Sequence, residues 1–278
     1  MTRIIRKREQ RKPRKLTLSP TKISTYLACR LMYKYTYINR LGRFYYTPKS
    51  YHTFGATLHR AIDEFHKAGG AETQSAEELV ERVHSVWASA GYSSEEEEQA
   101  HLESATEFLE QYHTGYAVEG AKTLFTEKQL KADMGEFNLI GRIDRLDEHS
   151  DGHIEIIDYK SGRLSVDEED IRTDLAMSIY SFLTHKTYPD RRVTATIYCL
   201  RTGDKATVEH TDEELTELEE MIRAIAAEIA QIDEETIIEP AWLPYVCPGC
   251  DYLRLCARRA GWDVAKLIQE TTEKESDT

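Results

Sequence analysis

The stretch GRIDRLDEHSDGHIEIIDYKSG, from Gly141 to Gly162, constrains this chain more than any other. It reads as two strands joined by a turn: 141–148, a turn at 149–152, and 153–160. Ile154, Ile156, Ile157 and Tyr159 fit a strand buried on much of both faces. Against that apolar background stand Asp144, Asp158 and Lys160, at or near the strand ends. Side chains two apart on a strand leave the same face, so Asp158 and Lys160 point together, and Asp144 on the neighbouring strand can join them. Two carboxylates and an ammonium group at a sheet edge can bind a hard divalent cation and set a water beside it. The competing reading of the Asp-x-Lys pair alone is a surface ion pair, worth at most about 1 kcal/mol.

The rest of the chain supplies a domain around this element. With 278 residues it has room for one large domain or two small ones. No apolar run approaches the ~20 residues of a membrane span, and the basic N-terminus has no apolar stretch behind it, so an intracellular (cytoplasmic) protein without a membrane partner is expected. The net charge of −13 hides an asymmetry: residues 1–15 carry eight Lys or Arg and one Glu. Residues 1–17 therefore read either as a phosphate-seeking flexible arm or as a solubilising tail. No phosphate-binding Gly-x4-Gly-Lys-Ser/Thr is present, so any unwinding motor must be another chain.

In order, a helix is predicted from Ser19 as N-cap and Pro20 at the first helical position, followed by an extended segment bearing Tyr33, Tyr35 and Tyr37. A second helix opens around Thr53 to His59, and His66 further along it reads as a surface residue. Residues 69–119 read as a helical insert, with Ser75-x-x-Glu78 as a capping box. Leu124 to Lys131 reads as the first core strand, on which Glu127 faces either the site or solvent. A helix with Leu175, Ile179, Tyr180 and Phe182 follows the central strands. A hairpin over 192–209 and a periodic helix after Thr211 follow it, and the strand–helix–strand order from 153 to 200 calls for a right-handed crossover. The segment 240–260 holds Cys247, Cys250 and Cys256. With Cys29 far upstream, three thiols over ten residues suggest a metal centre, either zinc or iron–sulfur. Cys199 reads as packing, and 269–278 as a polar tail.

Five signals in this order, Cys29, Gly55-x-x-x-His59, Gly141-x-x-Asp144, Asp158-x-Lys160 and the terminal three-Cys group, resemble the PD-(D/E)XK nuclease superfamily. The resemblance is to its RecB-like exonuclease branch, including AddB-type and CRISPR-associated members. It covers about Leu18 to Arg258. It implies an α/β, restriction-endonuclease-like core with a small mixed sheet flanked by helices, a helical cap, and an iron–sulfur lobe joining the two ends of a single domain over 18–268, with the core at about 122–232. It further implies Mg2+ or Mn2+ held by His59, Asp144, Asp158 and the Tyr159 carbonyl, with Lys160 positioning the attacking water and Tyr180 near substrate. A 4Fe-4S cluster on Cys29, Cys247, Cys250 and Cys256 is implied in preference to Zn2+. The implied activity is metal-dependent DNA hydrolysis, as a single-strand-preferring exonuclease in repair, recombination or defence, with a helicase or other recombination or defence proteins as partners. A CRISPR spacer-trimming enzyme and a non-catalytic DNA-binding relative are the alternatives. The chain departs from the family pattern in three places: Ile143 where the name expects Pro, Arg30 where Pro often follows the first Cys, and Ala176 where a Gln precedes Tyr180.

Overall fold

In a computed structural model, residues 15–115 and 121–276 are described. The basic arm expected at 1–17 falls mostly outside them, but Leu16–Leu18 are a strand, β1. Helix α1 (Pro20–Ala28) is capped by the Ser19 side chain, and α2 (Arg30–Tyr33) follows. The expected extended run at Tyr33–Tyr37 is instead helical: α2 passes directly into a π-helical turn, Lys34–Ile38. Burial accounts for the difference: the helical backbone turns Tyr33 into the main core and Tyr35 into a separate cluster with Leu31 and Tyr252. Then come α3 (Gly42–Tyr45) and α4 (Ser50–Lys67), and the insert helices α5 (Ala76–Val86) and α6 (Glu95–Gly115). The capping box at Ser75 and Glu78 is present.

Among the described residues the sheet has six strands. β2 (Ala121–Asp133), β3 (Phe137–His149) and β4 (Ile154–Lys160) are successive antiparallel neighbours. Two helices, α7 (Glu168–Thr173) and α8 (Leu175–Thr187), connect β4 to its parallel neighbour β5 (Val193–Cys199), which pairs with β6 (Lys205–Val208). Helices α9 (Asp212–Ile229), α10 (Leu253–Ala260) and α11 (Val264–Ser276) complete the chain. One core packs Leu139, Ile143, Ile154 and Ile156 against residues of α1, α8 and α9. The other packs Ile157, Tyr159, Tyr198 and Leu200 under α4, α5 and α6. This is the mixed sheet with flanking helices that the family resemblance implies. Among the described residues no helix is long and apolar enough to cross a membrane.

Two features of the sheet create the site. First, β2 covers one edge of β3 from residue 138 to 149, so β1 and β4 share the other edge, β1 at 137–139 and β4 at 145–148. Residues 140–144 of β3 lack a strand there, and β4 parts from β3 after Ile157 to run on with β5 alone. Second, side-chain alternation breaks at Glu127 and Asp144. Leu130 and Ile143 face the first core, whereas Thr126 bonds to Asp63 of α4 and Arg145 to Tyr112 of α6. In an unbroken strand Thr126 would face the way of Leu130, and Arg145 the way of Ile143. The break coincides with Glu127 at φ +48°, a left-handed residue inside a strand, the kind of irregularity that re-aims side chains.

The expected iron–sulfur lobe is not there. All five cysteines are free, and among the described residues no group of three thiols lies within 4.8 Å of one another, so nothing here supports the 4Fe-4S cluster or a four-thiolate zinc site. The sulfurs have other partners. Cys29 Sγ caps α2 by accepting the Met32 N–H at 3.4 Å, and Cys247 Sγ accepts the Leu243 N–H at 3.3 Å. Cys250 and Cys256 pack on an apolar cluster of Leu31, Tyr35 and Tyr252, and burial, with neighbouring sulfurs, pushes the Cys256 thiol up to about 11. The two ends of the chain are instead tied by aromatic packing: the Tyr35 and Tyr252 rings lie 5.4 Å apart, and Thr36 Oγ1 is 3.0 Å from the Tyr252 hydroxyl.

Candidate functional site

The fork between β3 and β4 holds the charged residues. Where main-chain pairing with β3 has ended, the Tyr159 N–H donates to the Asp144 carboxylate at 2.9 Å. His59 reaches the same fork from α4. Gly55 one turn earlier faces Ser161, whose Oγ would lie 3.1 Å from a Cβ at that position, so the helix approaches the strand end closely. The His59 Nε2 atom is 2.9 Å from the Tyr159 carbonyl oxygen, which can only accept, so Nε2 carries the proton. Nδ1 then faces the carboxylates, 3.3 Å from Asp144 Oδ2 and 3.7 Å from Glu127 Oε1. Burial pulls the imidazole pKa down, but Asp144, with Glu127 and Asp158, outweighs it and raises it to about 10.

His59, Glu127 and Asp144 are the compact group: one ligand atom from each lies within 4.8 Å of the others. Oxygen donors with a single imidazole suit a hard divalent cation. Glu127, left open on sequence grounds, belongs to this group, and its other oxygen takes a 2.5 Å ion pair from Arg142. No periodicity reveals it, because the left-handed residue that turns it inward is a tertiary feature.

Asp158 lies beside the group rather than within it. Burial first, and then the Asp144 charge, raise its pKa to about 6, against the opposing pull of Lys160. Its Oδ2 is 2.8 Å from Lys160 Nζ, a buried ion pair that a cation held by the compact group would adjoin. Lys160 is desolvated, but Asp158 raises its pKa, with a further carboxylate, Asp174, at 3.7 Å. Sequence reasoning missed Asp174; it also caps α8 through the Ala176 and Met177 N–H groups. Tyr180 of α8 packs closely against Gly141, and burial and the surrounding carboxylates raise its pKa. It lines two adjoining clefts. One of about 610 Å³ contains His59, Glu127, Arg142 and Asp144; the other, of about 460 Å³, contains Arg163, Asp174 and Ala176.

Behind the site, His66 is part of a buried network rather than a surface residue. Its Nε2 lies 2.6 Å from the Tyr112 hydroxyl and 3.1 Å from Arg145 Nη1, and burial together with Arg145 drives its pKa down to about 3. Arg145 grips Asp147 with both forks, at 2.7 and 2.5 Å, and the Tyr112 hydroxyl reaches that of Tyr159 at 2.8 Å.

None of the curated protein sequences compared with this chain matches it. Among the solved structures that match in part are two that illustrate the likeness. One is a protein from Eubacterium rectale described provisionally as an exonuclease: 9% identity over 81% of this chain and 91% of that one, TM-score 0.47. The other is SSO0001: 11% identity over 73% of this chain and 84% of that one, TM-score 0.32. A family model, described as the PD-(D/E)XK nuclease superfamily, matches residues 17–257. The match runs from β1 through α10 and takes in every residue of the fork, and the chain belongs to the PD-(D/E)XK nuclease superfamily.

Proposed function

We propose that this chain hydrolyses DNA phosphodiester bonds with Mg2+ or Mn2+, as a single-strand-preferring exonuclease in repair, recombination or defence. The convergence of His59, Glu127 and Asp144 within 4.8 Å, beside the Asp158–Lys160 pair, carries the reading. The donors fit the ion: His59 Nδ1, Glu127 and Asp144 would hold it, with Asp158 adding a carboxylate oxygen and the Tyr159 carbonyl its second lone pair. A bound cation polarises the phosphate and lowers the pKa of a water. The chain's own residues do the rest. The Tyr159 carbonyl fixes the imidazole through Nε2–H, leaving Nδ1 toward the ion. Lys160, kept protonated by Asp158, positions the attacking water and offsets charge on the phosphate. Tyr180 remains a neutral phenol and donates to a phosphate oxygen.

The test is digestion of end-labelled single- and double-stranded DNA with Mn2+. Asp158→Ala and Lys160→Ala should each lower cleavage by about 10²–10³-fold with an unchanged circular dichroism spectrum. Undiminished cleavage in both variants would remove these roles. One observation favours a DNA-binding relative that does not cut: Ala176 lines the second cleft where the family pattern has an amide. Binding without Mn2+-dependent cleavage by the wild type would establish that reading instead.

A further inference from the structure

The 610 Å³ cleft has an unusual lip. Tyr51 and His52, in the first turn of α4, line it together with Arg60 and Arg142. The Tyr51 ring lies 4.4 Å from that of His52, and its side chain is 64% exposed. Just upstream, Phe44 and Tyr46 are 68% and 63% exposed, and Arg43 lies over the Phe44 ring at 4.5 Å. Large rings do not stand out this far for packing, and here three do so within eight residues. They are also held in place. Tyr45, between Phe44 and Tyr46, packs its ring against Tyr252 at 5.8 Å. Thr53 Oγ1 bonds to the Ala90 carbonyl at 2.7 Å, and the Lys49 backbone lies against Gly91 so closely that a Cβ there would meet it at 2.7 Å.

Charge indicates what covers these rings. The chain as a whole is acidic, at −13, yet from Lys15 to Ile62 it has eight Lys or Arg and no Asp or Glu. Cations interleaved with exposed rings suit a polyanion whose units have flat faces. In a duplex those faces are stacked on one another and out of reach; in a single strand they are free. At about 3.6 Å per residue, Tyr46 lies within ~18 Å of Tyr51, a span of a few nucleotides.

We propose that Phe44, Tyr46 and Tyr51 form a base-stacking rim that leads a single nucleic-acid strand into the cleft, with Arg43, Lys49 and Arg60 on its phosphates. The inference rests on the nuclease reading for the polymer the cleft receives, and it is tested by binding, which needs no turnover. The full chain, with chelator present, is titrated by fluorescence anisotropy against three labelled probes. These are a single-stranded oligodeoxynucleotide, the same strand with every base replaced by an abasic unit, and its duplex. Tyr51→Ala should weaken the base-bearing strand about tenfold, and Phe44→Ala/Tyr46→Ala by a similar factor. Both should leave the abasic strand and the duplex unaffected, and Tyr51→Phe should bind like the wild type. The rings are exposed, so thermal melting should not shift. Three results overturn the rim: no loss on the base-bearing strand, an equal loss on the abasic strand, or no single-strand binding by the wild type. Absence of Mn2+-dependent cleavage in the parallel assay would refute the nuclease reading while leaving the binding result to stand.

Discussion

Glu127 provides the sharpest test of how the site is built. It sits in a strand at φ +48°, where an L-residue other than glycine is held at a penalty of roughly 1–2 kcal/mol. In an ordinary strand, alanine is better than glycine by about 0.5–1 kcal/mol because glycine loses more freedom on folding. Both Glu127→Ala and Glu127→Gly remove the carboxylate and its ion pair with Arg142, so their difference isolates the backbone. Setting the central left-handed penalty against the central cost of glycine leaves Glu127→Gly more stable than Glu127→Ala by about 0.75 kcal/mol, the reverse of the usual strand order. Urea unfolding read by tryptophan fluorescence or circular dichroism resolves a difference of this size if the slope is the same for both variants. Alanine equal to or better than glycine would mean that the left-handed residue is not intrinsic to the strand. The account of why Glu127 turns toward Asp144 would then fail.

Gly141→Ala would place a Cβ 2.8–2.9 Å from the Tyr180 ring and Leu183 Cδ1, an overpacking worth about 1–3 kcal/mol, and the loss should shrink in a Tyr180→Ala background on urea unfolding. Asp147→Ala should destabilise by about 3–5 kcal/mol by taking the carboxylate from the buried Arg145, whereas replacing both residues by apolar ones should lose less in the same assay. His66 is held neutral, its pKa lowered from 6.5 to about 3. As pH falls below 6.5 the unfolded chain takes up a proton that the native one refuses, so stability drops by up to about 1.4 kcal/mol per pH unit toward pH 3. His66→Gln should flatten that slope in urea midpoints measured between pH 6.5 and 4, and an unchanged slope would show that His66 is not its source.

The apolar residues of β4 announce a strand buried on both faces, and the two-residue spacing of Asp158 and Lys160 puts them on one face. Both are legible because strand alternation is local. His59 and Asp144 are legible as a pair only through the family pattern, since α4 and β3 meet by tertiary packing. Glu127 and Asp174 are not legible: the first depends on one left-handed residue, and the second reads as an ordinary helix cap. The cysteines mislead in the opposite direction. Their spacing satisfies a ligand pattern, but Cys29 and Cys247 are taken up by backbone N–H groups and Cys250 and Cys256 by an apolar cluster. His66 reads as a surface residue because nothing in α4 indicates that α6 covers it.

Tyr159 looks two ways at once: its main chain holds His59 and Asp144, and its phenol is clasped by Tyr112 of the insert. Trimming residues 69–119 away to obtain a smaller protein would therefore strip the rear support from the very peptide unit that steers the imidazole. The insert is a bracket for the fork between β3 and β4, and a minimal version of this protein has to keep it.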